Sequence, residues 1–536
     1  MGLRKLGDSA WIFMSGQDDA RSHLDLCLLI VDLLHKNPCP AVTDIVSSFD
    51  SVAVHFDPAD GPEVLKHLTQ LNPPTSNPEN YPNAKEVTIP ICYDGDTDLD
   101  DVAKSTGLTK AEIIELHSNA EFTVAAIGFS PGFPYLTGLP KELHLPRKTS
   151  PHPVPAGAVA IAGDQAGVYP NASQGGWHVL GKTSQQLFDP KREKPSLLQA
   201  GDQVKFEITE STKSPAPPKP ATTKATKDLE IIEAGALTNV QDLGRKGYQH
   251  MGVSPGGAAD PISARVANRL VGNPDDAAVL ECTMTGPVLK FHKNTHVAWV
   301  GWADARNGRP HKVAAGETID LTSRMLHLRG YIAVAGGVDV PKLMSSRATD
   351  IRAQFGGHQG RPLEAGDTLP IGDSATDSIP DDLHISWPHT QNGILELRYL
   401  KGIQTRWFSD EMKQKFSQSI YNISPVSDRT GTRLIGTKVS LIEPREMVSQ
   451  PAVAGSIQIP PNGQPIVLMA EHQTIGGYPQ IGHVISADMP KLARAWPGQA
   501  VHFKPATIFE ARQAWKDLQR ELSIVNAGIQ MQSHGK

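Results

Sequence analysis

Cysteine is scarce. Cys27, Cys39, Cys92 and Cys282 are the four thiols in 536 residues, with no CxxC spacing and no neighbouring histidine pattern, which excludes a disulfide scaffold and reads as reduced cytosolic thiols. No stretch approaches the roughly 18 uninterrupted apolar residues of a membrane span. The start, with Arg4, Lys5 and Asp8, has no apolar core or small-residue cleavage site, so neither membrane nor secretion is expected and the expected location is the cytoplasm. Basic clusters are missing and the formal net charge is -6, which argues against nucleic acid as a main partner. There is no HExxH, EF-hand or zinc-knuckle spacing, so no dedicated metal centre is expected. A biotinyl segment is also lacking: Glu411-Met412-Lys413 sits in a charged, helical context, so no covalent biotin is expected on this chain.

Glycine and proline are in excess, 47 and 43 residues, about one residue in six against roughly one in eight on average. Aromatics make only 6%, and this balance favours turns and short strands over long helices. The length suffices for two to four domains with real cores.

The sharpest break is 211–228, STKSPAPPKPATTKATKD, which has no apolar periodicity and reads as an extended linker between two fused proteins. Before it, a strand at 10–14, a helix over 20–36, strands at 42–46 and 51–56 and a helix over 62–71 give a βαββα order. That order predicts a small ferredoxin-like α+β domain over 1–82. A β-barrel is expected over 83–210, with a helix capped by Thr109-x-x-Glu112. Further barrels are expected over 229–393 and 394–506, and a helix from the Thr507-x-x-Glu510 box closes the chain over 507–536.

An internal echo supports the barrels. AGAVAI (156–161), QAGVYP (165–170) and GDQVKF (201–206) recur in order as AGSIQI (454–459), QTIGGYP (473–479) and GQAVHF (498–503). Ser-Pro pairs at Ser130, Ser254 and Ser424 hint at a third, more diverged copy, so three related modules are expected. In this alignment Gln165 and Tyr169 stand where Gln473 and Tyr478 stand.

Two motifs are decoys. GWHVLGKT (176–183) has P-loop spacing, but Trp177, His178, Val179 and Leu180 form a strand-like run where small residues are needed, and Pro190 leaves no room for the helix. GFSPG (128–132) has the spacing of a nucleophile elbow, but Pro131 has no N–H to donate to an oxyanion, and Pro134 and Pro140 forbid a helix. A serine hydrolase is therefore not expected. What remains is a rigid turn that fixes Phe129, Ser130, Phe133 and Tyr135 as a packed corner or a pocket wall.

Polar clusters fall in Gly/Pro-rich turns: Gln241 and Arg245, then Asp260; Ser346, Arg347, Asp350 and Arg352; Asp428 and Arg429; Gln473, Gly476, Gly477 and Tyr478; Asp488 and Lys491. Arginine and lysine hold phosphate or carboxylate, aspartate moves protons, and glutamine with glycine N–H groups polarises an amide oxygen. For each residue alone a buried ion pair or a turn hydrogen bond explains it equally well; their joint presence favours a site.

These motifs carry a resemblance. GFSPGFPYLTGLP (128–140), VPAGAVAIAG (154–163) and GVYPNASQGGW (167–177) resemble the B component of bacterial ATP-dependent 5-oxoprolinase, a group that includes the Kip-type histidine-kinase inhibitor and the first of the two allophanate-hydrolase components. NVQDLGRKGYQHMGVSPGGAADP (239–261), SRATDIRAQFGGHQGRPLEAGD (346–367), SPVSDRTGTRL (424–434) and HQTIGGYPQIGHVISADMPKLA (472–493) resemble the C component, related to the Kip antagonist and the second allophanate-hydrolase component. The fused pair is similar to the carboxyltransferase part of urea carboxylase.

The resemblance implies a mainly β chain with α+β parts: tandem cyclophilin-like β-barrels behind a small ferredoxin-like domain. It implies an enzyme component that uses ATP with Mg to activate 5-oxo-L-proline, with a separate partner, like the A component of 5-oxoprolinase, completing hydrolysis to glutamate. In that mechanism Arg429 and Lys491 take phosphate or carboxylate charge, Gln473 with the Gly476 and Gly477 amides orients the ring carbonyl, and Asp260 or Asp428 handles a proton. Phe129, Ser130, Phe133, Tyr135, Gln165, Tyr169, Gln241, Arg245 and Tyr478 complete the expected substrate-binding set. Two other readings are carboxyl transfer to urea or a related ureide, with a separate biotin carboxylase and carrier, and a non-enzymatic Kip-like regulator of a histidine kinase. A homo-oligomer is compatible with each.

Overall fold

The computed structural model describes residues 2–14, 23–72, 84–148, 150, 152–210, 226–374, 379–380, 383–387, 393–445 and 447–534. Most of the expected linker, and the first turn of the expected 20–36 helix, lie outside them.

The N-terminal sheet runs Gly2–Leu6, Ala10–Met14, Ser51–Phe56, Val42–Ser47, with every neighbour antiparallel. Helices Leu24–Lys36 and Gly61–Gln70 cover it. The strand Gly2–Leu6 is missing from the sequence reading; it folds back onto Ala10–Met14 through a tight turn in which Gly7 takes φ 71°, a conformation that costs glycine nothing. It fills the edge place that the last strand holds in a ferredoxin-like sheet. Successive side chains of Ala10–Met14 point to opposite faces, and both faces are buried. Trp11 and Phe13 pack with Leu26, Cys27, Ile30 and Leu34 of the helix, while Ala10 and Ile12 pack against Val453 of the last barrel.

The first barrel orders its seven strands His178–Lys182, Ala158–Ala162, Gln165–Val168, Pro134–Thr137, Phe122–Ile127, Gln203–Ile208, Glu86–Ile91. Reciprocal backbone hydrogen bonds between Cys92 and Lys182, 2.9 and 2.8 Å, join its two ends. The last barrel is closed in the order Leu395–Lys401, Gln480–Val484, Ser456–Gln458, Ile466–Leu468, Gly431–Ile435, Ile420–Ile423, Ala500–Pro505. Each barrel holds one parallel pair, its first strand beside its last: Glu86–Ile91 with Gln203–Ile208 and Leu395–Lys401 with Ala500–Pro505. Between them, residues 229–371 form a four-stranded and a five-stranded sheet around one core that contains Phe291, Trp299 and Trp302. The chain is thus mainly β, with tandem barrels of the cyclophilin-like kind.

Strand order corrects the internal echo. Ala158–Ala162 matches Ser456–Gln458 and Gln203–Ile208 matches Ala500–Pro505, as expected, but Gln165–Val168 matches Ile466–Leu468. The stretch QTIGGYP belongs instead with Ser173–Gly175, which pairs with His152–Val154 as Ile475–Gly476 pairs with Gln450–Pro451. Gly175-Gly176-Trp177 is therefore the counterpart of Gly476-Gly477-Tyr478, and Gln165 and Tyr169 are not counterparts of Gln473 and Tyr478.

The closing helix, Ile508–His534, starts at the expected box: the Thr507 N–H donates to Glu510 Oε2 at 2.7 Å and the Glu510 N–H to Thr507 Oγ1 at 3.3 Å. It straps three modules together. Trp515 Nε1 donates to Asp57 of the N-terminal domain, Arg269 of the middle module donates to Leu522 O, and Ala511 packs on Leu400 and Ile485 of the last barrel. No helix among the described residues is long and apolar enough to cross a membrane.

Candidate functional site

The segment 470–478 of the last barrel touches every other module. Ala470 O accepts hydrogen bonds from Ser254 Oγ and the Gly256 N–H of the middle module, both at 3.0 Å. His472 is buried close enough to His55 of the N-terminal domain to disfavour its protonation. Ile475 lies on the Cα of Gly128 in the first barrel. A Cβ built on Gly476 would sit 2.6 Å from both Gln458 Nε2 and Gln473 Nε2, so the missing side chain lets two carboxamides converge. Gln458 Nε2 is buried and has no hydrogen-bond partner.

Beside this segment stands the 128–133 turn. Phe129 takes φ 65°, a left-handed conformation that is uncommon outside glycine and clusters at functional sites. The guanidinium of exposed Arg352 lies 5.2 Å from its ring centroid. The turn is pinned to the middle module by Gly132 N–H to Met251 O, 2.9 Å. Behind Phe129, the rings of Phe133, Tyr135, Tyr169 and Trp177 meet edge to face and pack with Ile475 and with Phe49 of the N-terminal domain. Burial pushes the Tyr135 and Tyr169 phenols up, against the pull of the exposed Arg147 charge.

Deeper in the middle module, Arg245 is 1% exposed. Its Nη2 donates to Ala348 O and its guanidinium carbon lies 4.7 Å over the Phe355 ring. Nε and Nη1 have no hydrogen-bond partner. Burial pulls its pKa below the usual arginine range, while Asp350, Asp242 and Glu471 act the other way. The Glu471 carboxyl is raised, because burial and the nearby Asp350 outweigh its bond to Arg429.

Comparison with known proteins places this architecture. The family model "Carboxyltransferase domain, subdomain C and D" matches residues 1–198 and "Carboxyltransferase domain, subdomain A and B" matches 251–505. The C component of the 5-oxoprolinase of Escherichia coli (strain K12) is 38% identical over 309 residues, covering 54% of this chain and 96% of that protein. The chain belongs to the carboxyltransferase-domain family that holds the B and C components of 5-oxoprolinase. Within that family, the B component of Bacillus subtilis (strain 168) is 38% identical over 221 residues, 38% of this chain and 91% of its own length. A urea amidolyase of Lachancea kluyveri is 28% identical over 53% of this chain, but over only 17% of its own length. The crystal structure of TTHA0988 superposes with a TM-score of 0.80 at 33% identity, covering 92% of this chain and 99% of that one, so the fused arrangement exists as a whole fold elsewhere. Family membership makes the chain a component of an enzyme system.

Of the residues expected from sequence, Phe129, Ser130, Phe133, Tyr135, Tyr169, Gln473, Gly476 and Gly477 gather at this seam. Phe133 and Tyr135 are its packed corner; Phe129 is its wall. Tyr478 is 39% exposed at the end of the segment. Gln241 lies beside Arg245, its Nε2 donating to Thr349 O at 3.0 Å. Gln165 is not brought in: it opens its strand opposite Ala162, four residues and roughly 13 Å along the strand from Tyr169.

Four expected roles are corrected. Arg429 has no nitrogen to spare for phosphate: Nε donates to Glu471 at 2.6 Å, Nη1 to Glu281, and Nη2 to Gly257 O at 2.6 Å. It bolts the middle module to the last barrel, and Glu281, held by Arg429 and Arg329 against the cost of burial, stays below the usual carboxylate range. Lys491 binds Asp488 at 2.7 Å, a carboxylate that Arg398 also grips on both oxygens. Asp260 is fully buried as a helix cap, Oδ1 accepting the Ile262 and Ser263 N–H groups at 3.1 Å and Oδ2 the Ser263 hydroxyl. Asp428 is an exposed turn residue that accepts the Thr430 and Gly431 N–H groups at 2.8 and 3.0 Å.

Sequence reasoning missed Gln458 and Arg147. Gln458 carried a signal, since it stands in the repeated block where the first copy has Ala160; Arg147 lies in a loop with no pattern. Both decoys are rejected by the fold: His178–Lys182 is a strand, and the 128–132 turn leads into strand Pro134–Thr137 with no helix. Arg147, Arg352 and Arg245 fit an anion such as a nucleotide phosphate or a carboxylate. No three His, Cys, Asp or Glu side chains converge as metal ligands among the described residues, so a magnesium ion arriving with a nucleotide would depend on the phosphate oxygens.

Proposed function

We propose that this chain is the fused B and C component of an ATP-dependent 5-oxoprolinase, activating 5-oxo-L-proline for a separate partner of the A-component type. The observation that carries the reading is the end-to-end match of two relatives, a B component and a C component, each over more than nine-tenths of its own length, to consecutive parts of one chain. The boundaries 1–82, 83–210, 211–228, 229–393, 394–506 and 507–536 are its proposed units. At the seam, the Gln458 and Gln473 amides would polarise the lactam carbonyl as oxyanion-type donors, and Arg147 and Arg352 would meet phosphate at the rim. ATP, when bound, supplies the phosphoryl group that makes the lactam oxygen a leaving group. Glu471, which accepts Arg429 Nε at 2.6 Å, anchors this segment to the middle module.

The test is phosphate release with 5-oxoproline, urea and allophanate, with and without an A-component protein and avidin. Stimulation by 5-oxoproline, insensitive to avidin, is expected. No stimulation by any of the three would remove the enzymatic reading and leave a histidine-kinase regulator to be tested by direct binding. The match to urea amidolyase favours carboxyl transfer as a second reading, which predicts dependence on a biotinylated partner and loss of activity with avidin.

A further inference from the structure

The expected carboxylate-binding groups, Arg429 and Lys491, are occupied by protein carboxylates, so the charge of a substrate acid must be met elsewhere. Arg245 has the features such a group requires. It is buried, yet Nε and Nη1 bond nothing, and an arginine held this way is costly unless an oxyanion or water completes it. Three carboxylates act on it through space, Asp350, Asp242 and Glu471, and each is bonded elsewhere, Glu471 to Arg429 Nε. Asp242 accepts from the Gly244 and Arg347 N–H groups and the Ser346 hydroxyl, and Asp350 accepts the Ala353 N–H. The loop that covers Arg245 is strained: Met344, Ser345, Gln354 and Gln359 all take positive φ, and Gly356 lies so close to Arg245 Nη2 that a Cβ could not be placed there. Strain of this kind clusters at active sites and ligand clamps, and a substrate carboxylate reaches the guanidinium only if this loop moves.

We infer that Arg245 is the specificity-determining residue that receives the carboxylate of the substrate, so that the site selects amides bearing an adjacent acid over neutral ureas. This rests on the 5-oxoprolinase reading and names the atom set that enforces it. A charge-assisted bond of this type discriminates by roughly tenfold or more.

The experiment compares binding of 5-oxoproline and of 2-pyrrolidinone, the same lactam without its carboxylate, to the full chain and to Arg245→Met and Arg245→Lys, by calorimetry with melting temperature as the folding control. The wild type should prefer 5-oxoproline at least about tenfold. Arg245→Met should bind both lactams equally weakly, Arg245→Lys should recover part of the preference, and turnover with the partner should show the loss in KM rather than kcat. Equal binding of both lactams by the wild type, or a preference kept in Arg245→Met, overturns the inference and leaves the 5-oxoprolinase reading intact. If the wild type binds neither and 5-oxoproline gives no turnover, that reading fails instead. The arginine is then judged on acetate, glutarate and glutamate: a rise in melting temperature in the wild type that is absent from Arg245→Met supports it, and no rise overturns it.

Discussion

Ile475 of the last barrel rests directly on the backbone of Gly128 in the first, so close that any Cβ at Gly128 would overlap its Cγ1 and Cδ1. This contact joins the two halves of the chain where the 128–133 turn meets segment 470–478. Gly128→Ala should therefore destabilise by about 1–3 kcal/mol through overpacking, read as a lower urea midpoint. In an Ile475→Ala background the further cost of Gly128→Ala should largely vanish; an equal cost in both backgrounds would mean the two do not touch.

Arg429 should be structural. Arg429→Met leaves the Glu281 charge buried with the longer contact to Arg329, 3.9 Å, as its one ionic partner, beside the Ala259 N–H and Tyr331 hydroxyl that it accepts at 2.8 and 2.9 Å, and should cost about 3–5 kcal/mol. Adding Glu281→Gln should recover part of it. If Arg429→Met instead kept its melting temperature and raised only the KM for ATP, the phosphate role would return.

Acid should weaken the fold before the carboxylates titrate. Burial holds His55 and His483 down at about 4, whereas an unfolded chain takes up the proton near 6.5. The stability that each neutral imidazole contributes is whole above about pH 6.5 and is lost as pH falls towards 4. At about pH 5 the loss is about 2 kcal/mol for each. Denaturant midpoints at about pH 7.5 and about pH 5 check this, and His55→Gln should flatten the difference by its share; an unchanged midpoint in acid would refute the burial of both rings.

Lys182 should be dispensable for nucleotide use. Its structural role is played by the backbone bonds to Cys92, so Lys182→Met should keep the KM for ATP within about twofold, whereas removal of a P-loop lysine would abolish phosphate contact. A large rise would revive the P-loop reading.

Arg147 and Arg352 flank the aromatic wall from two modules. Arg147→Met and Arg352→Met should each weaken nucleotide or substrate binding by about tenfold, the size of one charge-assisted hydrogen bond, with melting temperatures unchanged. Binding unaffected in both would move the site away from Phe129.

Fold was legible where sequence encodes geometry. Period-two strands, capping boxes at Thr109 and Thr507, and a proline after Ser130 each restrict the backbone locally, and each restriction is visible in the fold. The repeat was readable in two blocks and slipped by one strand in the third, because QAGVYP and QTIGGYP share turn-forming residues while strand pairing depends on partners far along the chain. The site was legible in residue types and less so in roles. Arg429, Lys491, Asp260 and Asp428 have the chemistry of catalysis, but Glu281, Asp488, Ser263 and Thr430 engage them, and only the three-dimensional neighbours decide whether a charge is free. Gln458 and Arg147 become informative once Gly476 and the Tyr135 ring are placed beside them.

In the first and last barrels the strands that begin and end the module lie side by side, 86–91 with 203–208 and 395–401 with 500–505. Each barrel is topologically finished before the chain passes on, and the Escherichia coli and Bacillus subtilis relatives each match one part of the chain over more than nine-tenths of their own length. Joining the two halves adds no wall to either barrel; it changes how they meet. Tethered halves meet at an effective concentration on the order of millimolar, so the apolar face that Ile475 and Gly128 share is covered without a bimolecular encounter.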